Sequence, residues 1–150
     1  MILGSASHLF RATLIVGKPQ IKKFLIRTEL TMCGRFTNTA TPEELMRRFG
    51  VIITKNLRPR WNVAPSQSAT VIIRNGMHNA AISAKWGLRF AGGNKTMLIN
   101  ARMETANEKP TFSRAFLHSR CIVVASGWYE WSAPKTPWHI QLCNGGVIAM

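Results

Sequence analysis

This chain has no aspartate, and its 6 acidic side chains face 20 lysines and arginines, for a net charge of +14 over 150 residues. A field of that sign favours a polyanionic partner, and nucleic acid comes first. An anionic membrane surface would need a long basic amphipathic helix, and none is visible. The basic residues are spread along the chain rather than gathered in a tail, which fits a folded surface with a basic groove. The plainer alternative is a merely soluble basic protein. Cysteine is scarce as well. Cys33, Cys121 and Cys143 form no even disulfide set, no C-x-x-C pair and no zinc spacing, so the expectation is a reduced compartment and no metal. No apolar run approaches the roughly 18 residues of a membrane-spanning helix. Glycine-rich phosphate loops are missing, so no cofactor is expected. There is no internal repeat.

The apolar content of 46% is that of a globular chain. Residues 1–31 stand apart, with five basic residues and one acid, Glu29. They read as a transit peptide, a removable pro-segment, upstream sequence joined to the true start at Met32, or an extra strand or helix; the third is favoured. The domain proper is then 32–150. Thr41-Pro42-Glu43-Glu44 opens a helix, with Thr41 as cap, Glu44 closing a capping box and Gly50 as stop. Arg60 to Pro65 mixes polar, aromatic and turn residues, as a binding surface does rather than a regular element. Two strands, 69–74 and 80–86, flank the Asn75-Gly76 turn. Met97 to Asn100 is a short strand, Pro110 to His118 a helix, Arg120 to Ala125 a buried strand, and Pro137 to Cys143 another strand.

Met32-Cys33-Gly34-Arg35-Phe36 is the stretch with a specific chemistry. Trimming at Met32 would give Cys33 a free α-amine beside its thiol. An α-amine of pKa about 7.7–8.0 is partly neutral at pH 7 and forms imines with aldehydes. A thiol of pKa about 8.5 then closes a thiazolidine ring. The competing reading of Cys33 is an ordinary small buried residue.

Five stretches together resemble the SOS response-associated peptidase (SRAP) family: Met32–Phe36, Trp61-Asn62-Val63-Ala64-Pro65, Lys85-Trp86-Gly87-Leu88, Ile99 to Thr105, and Gly127-Trp128-Tyr129-Glu130-Trp131. The resemblance implies an α+β fold with a mixed, barrel-like β core and flanking helices. It implies sensing of abasic sites in single-stranded DNA, with the ring-opened sugar aldehyde trapped as a thiazolidine crosslink, and a self-processing peptidase activity that exposes the cysteine. Residue by residue, Cys33 would be the nucleophile. Asn100 would be the active-site amide (otherwise a strand-end turn residue). Glu130 would be the proton shuttle, its pKa raised among aromatics (otherwise a surface ion-pair residue). Arg35, Arg102 and Asn62 would contact the DNA backbone, and Trp61, Phe90 or Trp128 would stack on bases. The expected partner is abasic single-stranded DNA and the expected state a monomer, in a bacterial cytoplasm at the nucleoid or in a eukaryotic nucleus. A non-catalytic DNA-binding remnant is the alternative.

Three departures bear on that expectation. In the chain as written the Cys33 nitrogen is an amide, which forms no imine, so 1–150 is expected to be inert unless cut after Met32. The family's later His-x-Arg-x-Pro histidine has no counterpart among His8, His78, His118 and His139, and the domain is expected to be incomplete at its C-terminus. Arg89-Phe90-Ala91-Gly92 stands where the family usually shows a proline and a tryptophan.

Overall fold

The computed structural model describes residues 2–3, 12–16, 20–24, 34–53, 57–89, 97–133 and 136–150. In chain order the elements are β1 Ile2–Leu3, β2 Ala12–Val16, β3 Gln20–Phe24, β4 Phe36–Asn38, α1 Pro42–Phe49, β5 Val51–Ile53, β6 Arg60–Val63, β7 Ser68–Asn75 and β8 His78–Lys85. They continue with β9 Ala101–Arg102, α2 Met103–Ala106, α3 Pro110–His118, β10 Ile122–Ala125, β11 Gly127–Ala133, β12 Thr136–Leu142 and β13 Ile148–Ala149. One sheet runs β13-β10-β7-β8-β5, a second β3-β2-β12-β11-β4-β6, and β1 pairs with β9. The fold is α+β, as the resemblance implies. Among the described residues neither sheet closes into a barrel, because the outer strands of each sheet do not pair with one another.

The five-stranded sheet is apolar on both faces, which explains the unbroken runs Val71-Ile72-Ile73 and Ile122 to Ala125. Residues alternate between faces along a strand. One face places Ile72, Ala81, Val124 and the adjoining Val147 against Leu45 and Val51 beneath α1. The other places Ala69 and Ala125 against Phe36 and Val63 of the second sheet, with Trp86 filling the seam. Helix α1 is delimited as its sequence signals. The Thr41 hydroxyl accepts from the Glu44 N–H at 3.2 Å, and the Gly50 N–H reaches the Met46 carbonyl at 3.0 Å. Gly50 is left-handed at φ 58°, where glycine carries no steric penalty. The Glu43 carboxyl, held below the usual carboxylate range by its own backbone and then by Thr41, is the acid engaged with the cap hydroxyl.

Some boundaries move from expectation. Arg60 to Val63 forms strand β6, because it finds a partner in β4 through Phe36↔Val63 and Asn38↔Arg60. Met97 to Asn100 is held by a single bridge, Leu88↔Leu98, and the short strand falls instead on Ala101–Arg102. Strands β2 and β3 form an antiparallel hairpin, and β2 pairs with β12 from His139↔Ile15 to Leu142↔Ala12.

A buried polar chain ties β4, β11 and β12. Thr37 is fully buried; its Oγ1 donates to the Gly127 carbonyl at 3.3 Å and lies 3.1 Å from His139 Nε2. Both contacts are satisfied when Nε2 carries a proton and donates to Thr37, whose own proton passes to Gly127. Gly127 permits this approach, since a Cβ there would stand 2.6 Å from His139 Nε2 and 2.5 Å from the Ile140 carbonyl. The Tyr129 ring covers the imidazole with centroids 5.0 Å apart. Burial holds the His139 pKa below the ordinary histidine value.

Two predictions follow from this packing. Leu45→Ala is expected to lower unfolding free energy by about 2–5 kcal/mol, whereas Met46→Ala, one residue along and 45% exposed, should change it by about 0.5 kcal/mol or less in urea titrations. Equal costs would mean that α1 does not bury the face assigned to it. Because His139 is depressed in the fold, the unfolded chain takes up a proton first on acidification. Stability is therefore expected to be full above the ordinary histidine value, to fall as pH drops through about 6.5, and to level off below the folded pKa. Denaturation midpoints measured from pH 8 to 5 should flatten in His139→Gln; an unchanged slope would remove His139 from the acid response.

Candidate functional site

The candidate site grows from the strand that follows Cys33. Cys33 itself and Phe90 lie outside the described residues. Strand β4 lies between β6 and β11, with Phe36 opposite Trp128 and Thr37 opposite Gly127. One residue before β4, the Arg35 carbonyl accepts from the Tyr129 N–H at 3.0 Å, so the pairing reaches back toward Cys33. The Arg35 side chain is exposed and its Nη1 donates to Asn62 Oδ1 at 2.9 Å. Next to Asn62, Trp61 is 69% exposed. Tyr129, the chain's one tyrosine, donates its hydroxyl to the Trp61 carbonyl at 3.0 Å. Arg35 and Asn62, singled out from the sequence, are thus in contact, and Trp61 is exposed at the neighbouring position of the same strand. Tyr129 ties both strands through its backbone and its side chain.

The turn after Trp61 is built with the same care. Arg60 Nη2 and the Ala64 N–H both donate to Gln67 Oε1, at 2.7 and 3.2 Å. Ser66 is the one non-glycine with positive φ among the described residues, at 70°. A left-handed serine costs on the order of 1–2 kcal/mol. It is held by backbone bonds of Ser66 and Gln67 to Trp86, each 2.9 Å.

Trp86 carries the connection to Asn100. Its ring meets Phe36 at 5.4 Å, and its Nε1–H donates to the Ile99 carbonyl at 2.6 Å. The peptide immediately before Asn100 is therefore anchored to the core that also fixes β4. Asn100 is half-buried with its Oδ1 inside. Arg102 is exposed two residues on, at the start of α2. Glu130 is half-buried on β11, opposite Trp138, and by strand alternation shares its face with Trp128 rather than with Tyr129. Trp128 is half-buried against the core around Phe36, and its Nε1 is buried with no acceptor among the described residues. Its ring is spent on packing, so of the two indoles singled out as base stackers the open one is Trp61. Among the described residues no cluster of three or more histidine, cysteine or acidic side chains is placed to hold a metal.

Sequence reasoning did not single out Tyr129, Trp86 or Gln67. The first two stood inside quoted motifs, but an aromatic in a motif does not announce that its role is to donate one hydrogen bond. Gln67 gave no signal beyond its place two residues after a proline.

The profile of a family described as SOS response associated peptidase (SRAP) matches residues 32–150. Curated proteins similar to the chain include the abasic site processing protein YoqW of Bacillus subtilis, 36% identical over 129 residues, covering 79% of this chain and 58% of that protein. The abasic site processing protein YedK of Escherichia coli is 32% identical over 128 residues, with 79% and 58% covered. The chain thus spans less than two thirds of the length of the curated relatives it matches. Among solved structures, a protein from Bordetella bronchiseptica superposes with a TM-score of 0.64 at 22% identity, covering 79% of this chain and 61% of that one, a likeness of fold. A phage-related protein from the same organism gives 0.56 at 28% identity, covering 73% and 55%. With the family's profile matched from residue 32 to residue 150, this chain belongs to the SRAP family.

Proposed function

We propose that this protein processes abasic sites in single-stranded DNA, capturing the ring-opened sugar aldehyde covalently through Cys33. The observation that carries the reading is the Arg35–Asn62 unit beside the exposed Trp61, two residues beyond Cys33. A guanidinium oriented by an amide is suited to a phosphate, and an open indole to the base next to a gap in the stack. Backbone contacts position a strand without reading its sequence, as a lesion sensor requires. The names of the relatives, abasic site processing proteins, support the same substrate.

The chemistry asks for a free Cys33 amine. The nitrogen adds to the aldehyde carbon, a proton shuttles to the departing hydroxyl, and water leaves to give the imine. The Cys33 sulfur then adds to the imine carbon while the nitrogen takes up a proton, closing the thiazolidine. Glu130 is the proton carrier in this scheme, and Asn100 orients the amine or the sugar oxygen. In the chain as written Cys33 is preceded by a peptide bond, so capture follows cleavage after Met32; the self-processing peptidase step belongs to the same proposal.

Incubating the segment that begins at Cys33 with single-stranded DNA carrying one abasic site should give a band that survives a denaturing gel. Chain 1–150 that remains uncut after Met32, and Cys33→Ser, should give none. If folded Cys33-initiated protein gives no band, the chain is a non-covalent DNA-binding module. Arg35→Gln should weaken non-covalent binding of the same oligonucleotide and lower the slope of log affinity against log salt by about one, read by anisotropy from 50 to 200 mM salt. An unchanged slope would take Arg35 off the phosphate.

A further inference from the structure

A second surface lies on the five-stranded sheet, the one that packs against α1. Strands β7 and β10 pair at Val71↔Val123 and Ile72↔Ile122, and there the ladder ends. Beyond it the chain splays away toward the C-terminal end of α3, leaving a groove of about 490 Å³ between β7 and the Leu117–Ile122 segment. Its apolar lining comes from Phe49, Ile72, Ile73, Leu117 and Ile122, of which Ile72 belongs to the buried core beneath α1. Leu117 is 63% and Ile122 39% exposed, so apolar surface is open to water at the rim.

The charge in the groove is of one sign. Arg74 and Arg120, on opposite walls of the opening, both line the groove together with His118. No carboxylate lines it. Like charges lining one groove repel each other, and an anion between them removes that cost. Arg74 is already positioned for one: its Nε donates to the Gly76 carbonyl at 3.0 Å and its Nη1 to Asn79 Oδ1 at 3.3 Å. Asn79 in turn donates to the Phe49 carbonyl at 3.4 Å, which fixes that wall to the end of α1.

We infer that this groove docks an extended, acidic peptide segment of a partner protein, with aliphatic side chains on the isoleucine and leucine lining and carboxylates on Arg74 and Arg120. The combination selects the occupant. A nucleic-acid strand has phosphates for the arginines, but the exposed part of the lining, Leu117 and Ile122, is aliphatic, and its one ring, Phe49, is half-buried, whereas stacking needs open aromatic faces. A second copy of a chain with net charge +14 has little acidic surface to offer. An open groove with both rims in water suits an extended backbone rather than a buried tail. Arginine–carboxylate pairs are commonly bidentate, so the two guanidiniums would also set the register of the bound segment.

The test uses chain 1–150 and three fluorescein-labelled probes: a ten-residue peptide alternating glutamate and leucine, the same peptide with serine for leucine, and an oligothymidylate. Anisotropy is expected to give the glutamate–leucine peptide a Kd in the micromolar range, about tenfold or more tighter than the serine version. Arg74→Gln with Arg120→Gln should cost about tenfold, and Leu117→Ser, exposed and harmless to folding, several-fold, while leaving oligothymidylate binding unchanged. Absence of peptide binding would overturn the proposal. So would equal binding of the two peptides, which reports only the net charge, or loss of oligothymidylate binding in Leu117→Ser, which would make the groove a DNA surface.

Discussion

The hydrogen bond from the Trp86 indole to the Ile99 carbonyl is the contact on which the candidate site depends. At 2.6 Å it joins a seam residue between the sheets to the peptide that delivers Asn100. The same ring lies against Phe36, the first residue of the strand that follows the Cys33 segment. The Trp86 backbone also receives and donates at the Ser66–Gln67 turn, which ends the strand carrying Trp61 and Asn62. Three segments far apart in sequence are thus referred to one residue. A buried indole is well suited to that task, since its large apolar area fixes it by packing while its single donor fixes one partner.

Much of the scaffold was legible because local and tertiary signals agree. Thr41, Pro42 and Gly50 mark α1 by chemistry that acts within one turn of helix, and the Asn75-Gly76 hairpin is set by a glycine at φ 59°. The misplaced elements are those whose state depends on a distant partner. Trp61-Asn62-Val63 has no strand signature of its own and becomes a strand because β4 lies beside it. Ile99 is apolar enough for a strand, yet its carbonyl goes to Trp86 instead of a ladder. Ile122 belongs to an apolar run but is partly exposed, because its strand begins where the ladder ends.

The site was legible as a set of residues and not as an arrangement. Arg35, Asn62 and Trp61 stand in two motifs that only the β4–β6 pairing brings together. Trp128 and Trp61 look alike in sequence, and burial separates them: one packs into the core, the other opens to water. Tyr129 shows why such distinctions escape a reading of residues in order. Its backbone holds Arg35, its hydroxyl holds Trp61, and its ring shields His139, three roles that belong to three different neighbours.

The hairpin of residues 12–24 gives the segment ahead of Cys33 a further property. Strand β2 is joined to β12 by four register pairs and to β3 by five, none of which passes through the peptide bond after Met32. Cutting that bond would therefore free the cysteine amine without detaching the hairpin. The product would be a two-chain assembly in which an edge of the sheet is covered by a strand no longer covalently bound. Chemical activation and physical departure are then separate events, governed by a bond-breaking rate and by a strand-dissociation equilibrium. Loss of the hairpin would leave the backbone of His139 to Leu142 as an open edge, a surface prone to pairing with other chains.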